Sequence, residues 1–572
     1  MRKIFVSALL LVIVFVIMSL LINQHMMSQT QYRTTLLTVN QDDETVGGVA
    51  ELYLEVRPGS GRVFINSFPV SRTDTQFSTR FANQIACDFL EADCSRYDFL
   101  YTINAGSSIV GGPSAGAAMT VLTVAALDRQ PLRQDVAMTG TINSGGLIGP
   151  VAGVPAKAQA AQQRGINTVV APVFSSLRQN NSQDNISLHS GFSLVRASDL
   201  YEALPYFIEK EYLPSGREIV APQSYKETMN KVADLLCSRF DALSQDGFEQ
   251  DEELLERIQR GLLEERFYST ASLCFGGSID AQQNRLSNLS EEQLRILLVD
   301  IRRELMAIDQ EISNKSLVTI ADVETQAIVR ERVVEARQAI NEINTSNISP
   351  NELAFIIERS NSARAWSEFF GIESDEFIIN TDHLRFACSN KISEAEERVT
   401  YIEGFLPDSF TQSAREQLQL ARRDQAMNEY SVCLFKASKA KAEANILISA
   451  ISVSEDQIEQ LAREKLRAAE RVLSRQADRG LFPIMGYSYF EYAHFLIEED
   501  PISALRFAEY ALEVSNLHLY FPQETNNGLL LDWQNIGLFV VGLLTGFSAL
   551  LIMVPGRTSS NKRRGSPPGK KR

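Results

Sequence analysis

The sequence predicts an α/β domain followed by an all-α region, either a helical bundle or a tetratricopeptide-like array, with two transmembrane helices at the ends. Three observations predict it. Strand-like and helical runs alternate over residues 36–207, the mark of a sheet covered by helices. Residues 223–521 show few strand-like runs and repeated apolar spacing of helical period. Residues 4–22 and 536–554 are two uncharged runs of 19 residues, about enough to span a bilayer.

The first uncharged run follows Met1-Arg2-Lys3. It is predicted to be a membrane anchor. A cleaved signal peptide is the alternative, but 23–27 (Asn-Gln-His-Met-Met) offers no small-x-small cleavage site.

The α/β region carries strand-like runs at 50–56, 63–65 and 99–103. Gly112-Pro113-Ser114-Ala115-Gly116 then precedes an apolar run at 117–127 that reads as a buried helix. Proline suits a first helical turn, and the flanking glycines, Gly112 included, let a substrate approach the backbone closely. A helix starting here would place its positive dipole end near Ser114, where an oxyanion would form. Read alone, the same five residues also suit an ordinary loop-to-helix turn with an inert serine. A nucleophilic serine needs a base, and the five histidines (His25, His189, His383, His494, His518) are scattered.

Lys157, 43 residues on, opens an Ala-rich helical segment. That segment ends at Gly165 and leads into the strand-like Ile166-Asn167-Thr168-Val169-Val170-Ala171-Pro172. A free lysine has a pKa of about 10.4, so acting as base near neutrality requires a drop of about 3 units, which apolar burial can supply. The alternative is a solvated helix lysine.

Together these segments resemble the proteolytic domain of the Lon protease family over residues 36–207, most closely from 112 to 172. Pro113-Ser114-Ala115-Gly116 is similar to the family's nucleophile motif, and Asp135-Val136-Ala137-Met138-Thr139-Gly140 to its next block. Gly153, Lys157, Ala160, Ala161, Gly165, Ile166, Thr168, Val169 and Pro172 are similar to its lysine block, at the family's Ser-to-Lys separation. The resemblance implies a serine endopeptidase with Ser114 as nucleophile, Lys157 as general base and Thr139 orienting the pair. Two positions depart from the family: Gly111 stands where it usually has an acid, and Thr141 where it usually has Glu. No Gly-x-x-x-x-Gly-Lys-Ser/Thr element occurs, so the ATP-driven module that usually accompanies the domain is not found in the sequence. The expected activity is ATP-independent, without cofactor or nucleotide. Its substrates would be unfolded or exposed polypeptide, and a homo-oligomer is compatible with the family. The two-span topology is found among archaeal relatives of Lon, which implies an archaeal surface protein. Two alternatives remain: an inactive peptidase fold whose helical domain binds protein partners, or a protein that processes itself.

A linker is expected at 208–222, around Tyr212-Leu213-Pro214-Ser215-Gly216. Beyond it, residues 394–405, 413–423, 427–448 and 454–476 show helical periods. Residues 487–498 and 501–514 resemble one tetratricopeptide-type hairpin, with Ala493, Ala504, Ala508 and Ala511 at close-packing positions. No fixed repeat period emerges, so an ordinary bundle is preferred to a true solenoid.

The second uncharged run has Tyr520 and Trp533 before it, where an aromatic belt would lie, and Gly542-x-x-x-Gly546 within it. A basic tail at 555–572 follows, with Arg557, Lys562, Arg563, Arg564, Lys570, Lys571 and Arg572. Basic flanks at both ends place both termini in the cytoplasm and the body outside, a two-pass protein of the cell membrane. The chain carries 71 acidic against 55 basic residues, and the basic ends make the body between them more acidic still. Such a body repels nucleic acid. Asn-x-Ser/Thr sites at Asn180, Asn185, Asn288, Asn314, Asn344 and Asn347 suit an outside location. The six cysteines are even in number. Sequence order suggests Cys87–Cys94, Cys237–Cys274 and Cys388–Cys433, among fifteen connectivities; buried thiols are the alternative. No pair has metal-site spacing.

Overall fold

The computed structural model describes residues 31–39, 46–70, 73–105, 113–173, 191–213, 218–245, 251–344, 347–372, 379–403, 406–450, 453, 455–521 and 543. Among these, residues 31–207 form an α/β sheet domain, and a domain of about twelve helices follows.

The sheet has seven strands in the order β3-β4-β2-β1-β5-β8-β9. β1 (Gln31–Val39) and β2 (Gly47–Pro58) pair antiparallel, as do β2 and β4 (Tyr97–Ala105). β3 (Val63–Phe68) runs parallel to β4, and β5 (Val136–Met138), β8 (Thr168–Pro172) and β9 (Ser193–Ala197) run parallel beside β1. Alternation within the strands divides the two faces. Leu36 joins the core under α1 (Thr73–Phe89) and α2 (Gly116–Leu127), whereas its neighbour Leu37 packs with Ala161 of α3 (Val154–Gln163) on the other face. The domain is therefore three layers, with the Ser114 turn leading into α2 and Lys157 carried on α3. A short antiparallel hairpin, β6 (Thr141–Ile142) and β7 (Ile148–Gly149), leaves the sheet just after β5. α4 (Leu200–Phe207) completes the domain, capped by the Asp199 carboxylate on the Glu202 amide.

The segment expected to be a linker is strapped to this domain: Lys210 and the Tyr212 hydroxyl both donate to Asp128 at the end of α2. Residues 214–217 lie outside the described residues.

The helical domain runs from α5 (Gln223–Ser244) through α6 (Glu252–Leu263), α7 (Phe267–Leu286), α8 (Glu291–Ser313), α9 (Ile320–Glu342) and α10 (Pro350–Trp366). It continues with α11 (Thr381–Glu403), α12 (Gln412–Ala426), α13 (Tyr430–Ala450), α14 (Ile458–Asp478), α15 (Ile484–Leu496) and α16 (Pro501–Ser515). α15 and α16 form the expected hairpin, and Ala493, Ala504, Ala508 and Ala511 are all fully buried in it. Small side chains let these helices approach closely.

Three disulfides join cysteines that are neighbours in sequence order. Cys87–Cys94 ties the end of α1 to the turn before β4, Cys237–Cys274 ties α5 to α7, and Cys388–Cys433 ties α11 to α13. The last closes a sequence separation of 45 residues, for which loop-closure entropy gives about 4 kcal/mol. Replacing Cys388 and Cys433 together by alanine is expected to lower unfolding free energy by a few kcal/mol, and the Cys87–Cys94 pair by less. Denaturant titration checks the order; a larger loss at the shorter loop would contradict it.

Asn288, Asn314, Asn344 and Asn347 are exposed at helix ends; Asn180 and Asn185 lie outside the described residues. Among the described residues, no helix is long and apolar enough to cross a membrane. The runs at 4–22 and 536–554 lie outside those residues, apart from Leu543, as does the tail at 555–572.

The two domains are not separate bodies. Residues 31–524 form one compact unit. Arg471 pairs with Asp199 at 2.7 Å, and Arg475 with Asp88 at 3.3 Å. Leu147, from the β6–β7 hairpin, is part of the helical domain's core.

Candidate active site

Ser114 sits in a single helical turn (Pro113–Ala115) that runs directly into α2. α2 is buried along nearly its whole length. Its threonines remain compatible with that burial because their hydroxyls bond back along the helix, Thr120 to the Gly116 carbonyl and Thr123 to that of Met119. Ser114 itself is half-buried, so it lies at the edge of this core. Gly116 packs tightly. A Cβ there would stand 3.1 Å from Ile142 Cγ2 and 3.2 Å from the Ile142 amide nitrogen.

Lys157 reaches the same place from the opposite layer. Gly153, with φ +66°, turns the chain into α3, and Pro155 follows in the first turn. The start of β2 lies hard against this helix: a Cβ on Gly47 would come within 2.0 Å of the Ala156 carbonyl oxygen. The Lys157 side chain is only 1 % exposed, so the structure rules out the solvated-lysine alternative.

Thr139, at the end of β5, joins the two halves. Its amide donates to the Val170 carbonyl (3.0 Å), which fixes the strand end. Its hydroxyl accepts from Lys157 Nζ at 3.2 Å and donates to the Ser114 carbonyl at 3.4 Å. Gly140 adds two backbone bonds: its amide donates to the Ser114 carbonyl (2.9 Å), and its carbonyl accepts from Ala117 (3.0 Å). Ser114, Thr139 and Lys157 are thus brought together from three elements. Gly111 and Gly112 lie outside the described residues.

The other candidates fall elsewhere. His383 is in the first turn of α11, and His494 packs edge-on against Phe490 in α15, where burial lowers its pKa. His25 and His189 lie outside the described residues. Among the described residues no three His, Cys, Asp or Glu side chains gather as a metal site.

Sequence reading did not find what lies behind the site. Arg398 of α11 donates to the Ile142 carbonyl at 2.7 Å, and Ser144 donates to Glu513 of α16 at 2.7 Å. Glu513 also takes Lys391 at 2.8 Å and Lys441 at 3.1 Å. Burial alone would raise its pKa, but the two lysines and the Lys391 and Ser144 hydrogen bonds outweigh it and hold the value at about 2. These partners are hundreds of positions from the hairpin, and no local pattern announces them.

Residues 88–194 match the family model of the Lon protease (S16) C-terminal proteolytic domain. The Lon protease of Geobacter metallireducens is 44% identical over 88 residues, which is 15% of this chain and 10% of that protein. The Lon protease of Paraburkholderia phytofirmans is 29% identical over 167 residues, 28% of this chain and 20% of that protein. Lon protease 1 of Bacillus subtilis is 28% identical over 180 residues, 29% and 22% respectively. The chain therefore spans about a tenth to a fifth of the length of these curated relatives. The matched span begins inside α1, so the first three strands of the sheet precede it. Residues 88–194, which include Ser114, Thr139 and Lys157, carry a Lon-type proteolytic domain.

Proposed function

We propose that this chain is a serine endopeptidase whose nucleophile is Ser114 and whose general base is Lys157. The observation that carries the reading is the buried Lys157 Nζ bonded to the same threonine whose hydroxyl holds the Ser114 carbonyl. Withdrawal from water disfavours a charged lysine, which is what a lysine base requires. Neutral Lys157 takes the Ser114 Oγ proton as Oγ attacks the peptide carbonyl carbon, and the carbonyl electron pair moves onto oxygen. The α2 dipole, positive at its start, favours that oxyanion. As the tetrahedral species collapses, the C–N bond breaks and Lys157 returns the proton to the leaving amine. Lys157 then takes a proton from water as its oxygen attacks the acyl carbon, the bond to Oγ breaks, and Lys157 returns the proton to Ser114 Oγ.

The activity proposed is independent of ATP and directed at unfolded or exposed polypeptide, since the sequence shows no phosphate-cradling loop. Purified full-length protein is expected to cut an unfolded substrate at the same rate with and without ATP and magnesium. A clear stimulation by ATP would overturn this part of the reading.

We also place the body outside the cytoplasmic membrane, anchored by residues 4–22 and 536–554. Support comes from the basic flanks and from the three disulfides, which suit an oxidising compartment. Protease added to intact cells is expected to digest the helical domain and spare a tag placed after Arg572. Loss of that tag in sealed cells would refute the topology.

A further inference from the structure

We infer that Arg398, on the helical domain, is a positioning residue for the active site, acting through the β6–β7 hairpin. The inference rests on the proposed catalytic reading of Ser114 and Lys157.

The hairpin follows the site without a break. Thr139 and Gly140 hold Ser114 and Lys157, and Thr141 and Ile142 are the next two residues. Ile142 packs by side chain and amide against Gly116, the first residue of α2 after the Ser114 turn. A shift in Ile142 therefore moves both Gly140 and the start of α2, the two elements that set the serine.

Ile142 is held by its own domain's core and its pairing with Ile148, and on its carbonyl by the helical domain. Arg398 is 3 % exposed and donates from Nη2 to the Ile142 carbonyl. Its guanidinium lies over the Phe81 ring of α1 at 5.4 Å, so it is gripped on a second side by the proteolytic domain. The hairpin tip is held as firmly. Gly145 has φ +74°, and a Cβ there would stand 3.1 Å from Leu512 and 3.2 Å from Val472. Ser144 beside it donates to Glu513, an anion held by two lysines. Arg471 and Arg475, at the same interface, pair with the buried carboxylates of Asp199 and Asp88, and Arg475 also donates to the Asp88 carbonyl. Arg398 donates to a main-chain carbonyl three residues after Thr139, which bonds both Ser114 and Lys157.

The test compares wild type with Arg398→Met and Arg398→Lys on one short peptide, with hydrogen–deuterium exchange across residues 115–118 and 139–149. Arg398→Met is expected to lower kcat at least tenfold with KM within about twofold, and to speed exchange in both segments. Arg398→Lys, which keeps a donor, is expected to recover part of each. Should Arg398→Met fail to fold, Ser144→Ala gives the same two readouts with a smaller loss. Unchanged exchange in both segments overturns the inference, whether or not the protein is a peptidase. So does wild-type kcat in a folded Arg398→Met protein. A wild type that neither cuts peptide nor reacts with a serine phosphonate sinks the catalytic reading, and exchange alone then decides whether Arg398 sets the hairpin.

Discussion

Ser114→Ala is expected to lower peptidase turnover by about four orders of magnitude or more, with little change in unfolding free energy. The serine is half-buried at a helix start, its carbonyl accepts from the Thr139 hydroxyl and the Gly140 amide, and alanine preserves these bonds. Lys157→Arg is expected to be as inactive as Ser114→Ala, because a guanidinium keeps its proton at any usable pH. Combining Ser114→Ala with Lys157→Met should cost little more than either alone, since the two act as a unit. Turnover assays on folded, purified variants check this. Appreciable hydrolysis by Ser114→Ala would remove it as nucleophile.

The buried cluster behind the hairpin gives the largest expected stability effect. Glu513, Lys391 and Lys441 are all fully buried. Burial would lower the pKa of Lys391, yet Glu513, Tyr520 and Glu394 raise it well above its ordinary value; for Lys441 burial prevails and the pKa falls. Glu513→Leu leaves two buried lysines short of an anion and is expected to cost about 3–5 kcal/mol. The sign with pH follows from the depressed carboxyl. Its contribution is complete above the ordinary 4.5, and it is lost as pH falls from 4.5 toward about 2. The shift corresponds to a few kcal/mol. Denaturant titrations between pH 2 and 6 should therefore show wild type losing stability through that window, and Glu513→Leu losing less. Parallel curves would show that Glu513 does not govern acid stability.

Much of the proteolytic domain was legible because its signals are local. The Gly/Pro/Ser turn, the apolar run at 117–127 and the isolated Lys157 among alanines correspond to Pro113–Ala115, α2 and α3. Burial of Lys157 was not settled by that alanine context, since α3 also has a solvated face at Gln159 and Gln163. Element ends were less legible. The strand read at 50–56 extends from Gly47 to Pro58, because Gly47 and Gly48 pair with Val39 and Thr38 through backbone bonds that ignore side chains. The helix read at 394–405 begins at Thr381, since its first turns, with Phe386 exposed, present no clean apolar stripe. Arg398 and Glu513 were invisible as neighbours of the site, because contact across 256 and 369 positions is set by domain packing rather than by spacing.

The central claim is that a buried lysine activates Ser114. The most direct measurement is the rate and position of covalent labelling by a serine-reactive phosphonate, mapped by mass spectrometry, in wild type and in Lys157→Met between pH 6 and 9. One adduct is expected, on Ser114, forming faster as pH rises through the neutral range and slowed at least a hundredfold in Lys157→Met. Labelling at another serine, or of Ser114 at an undiminished rate without Lys157, would contradict it.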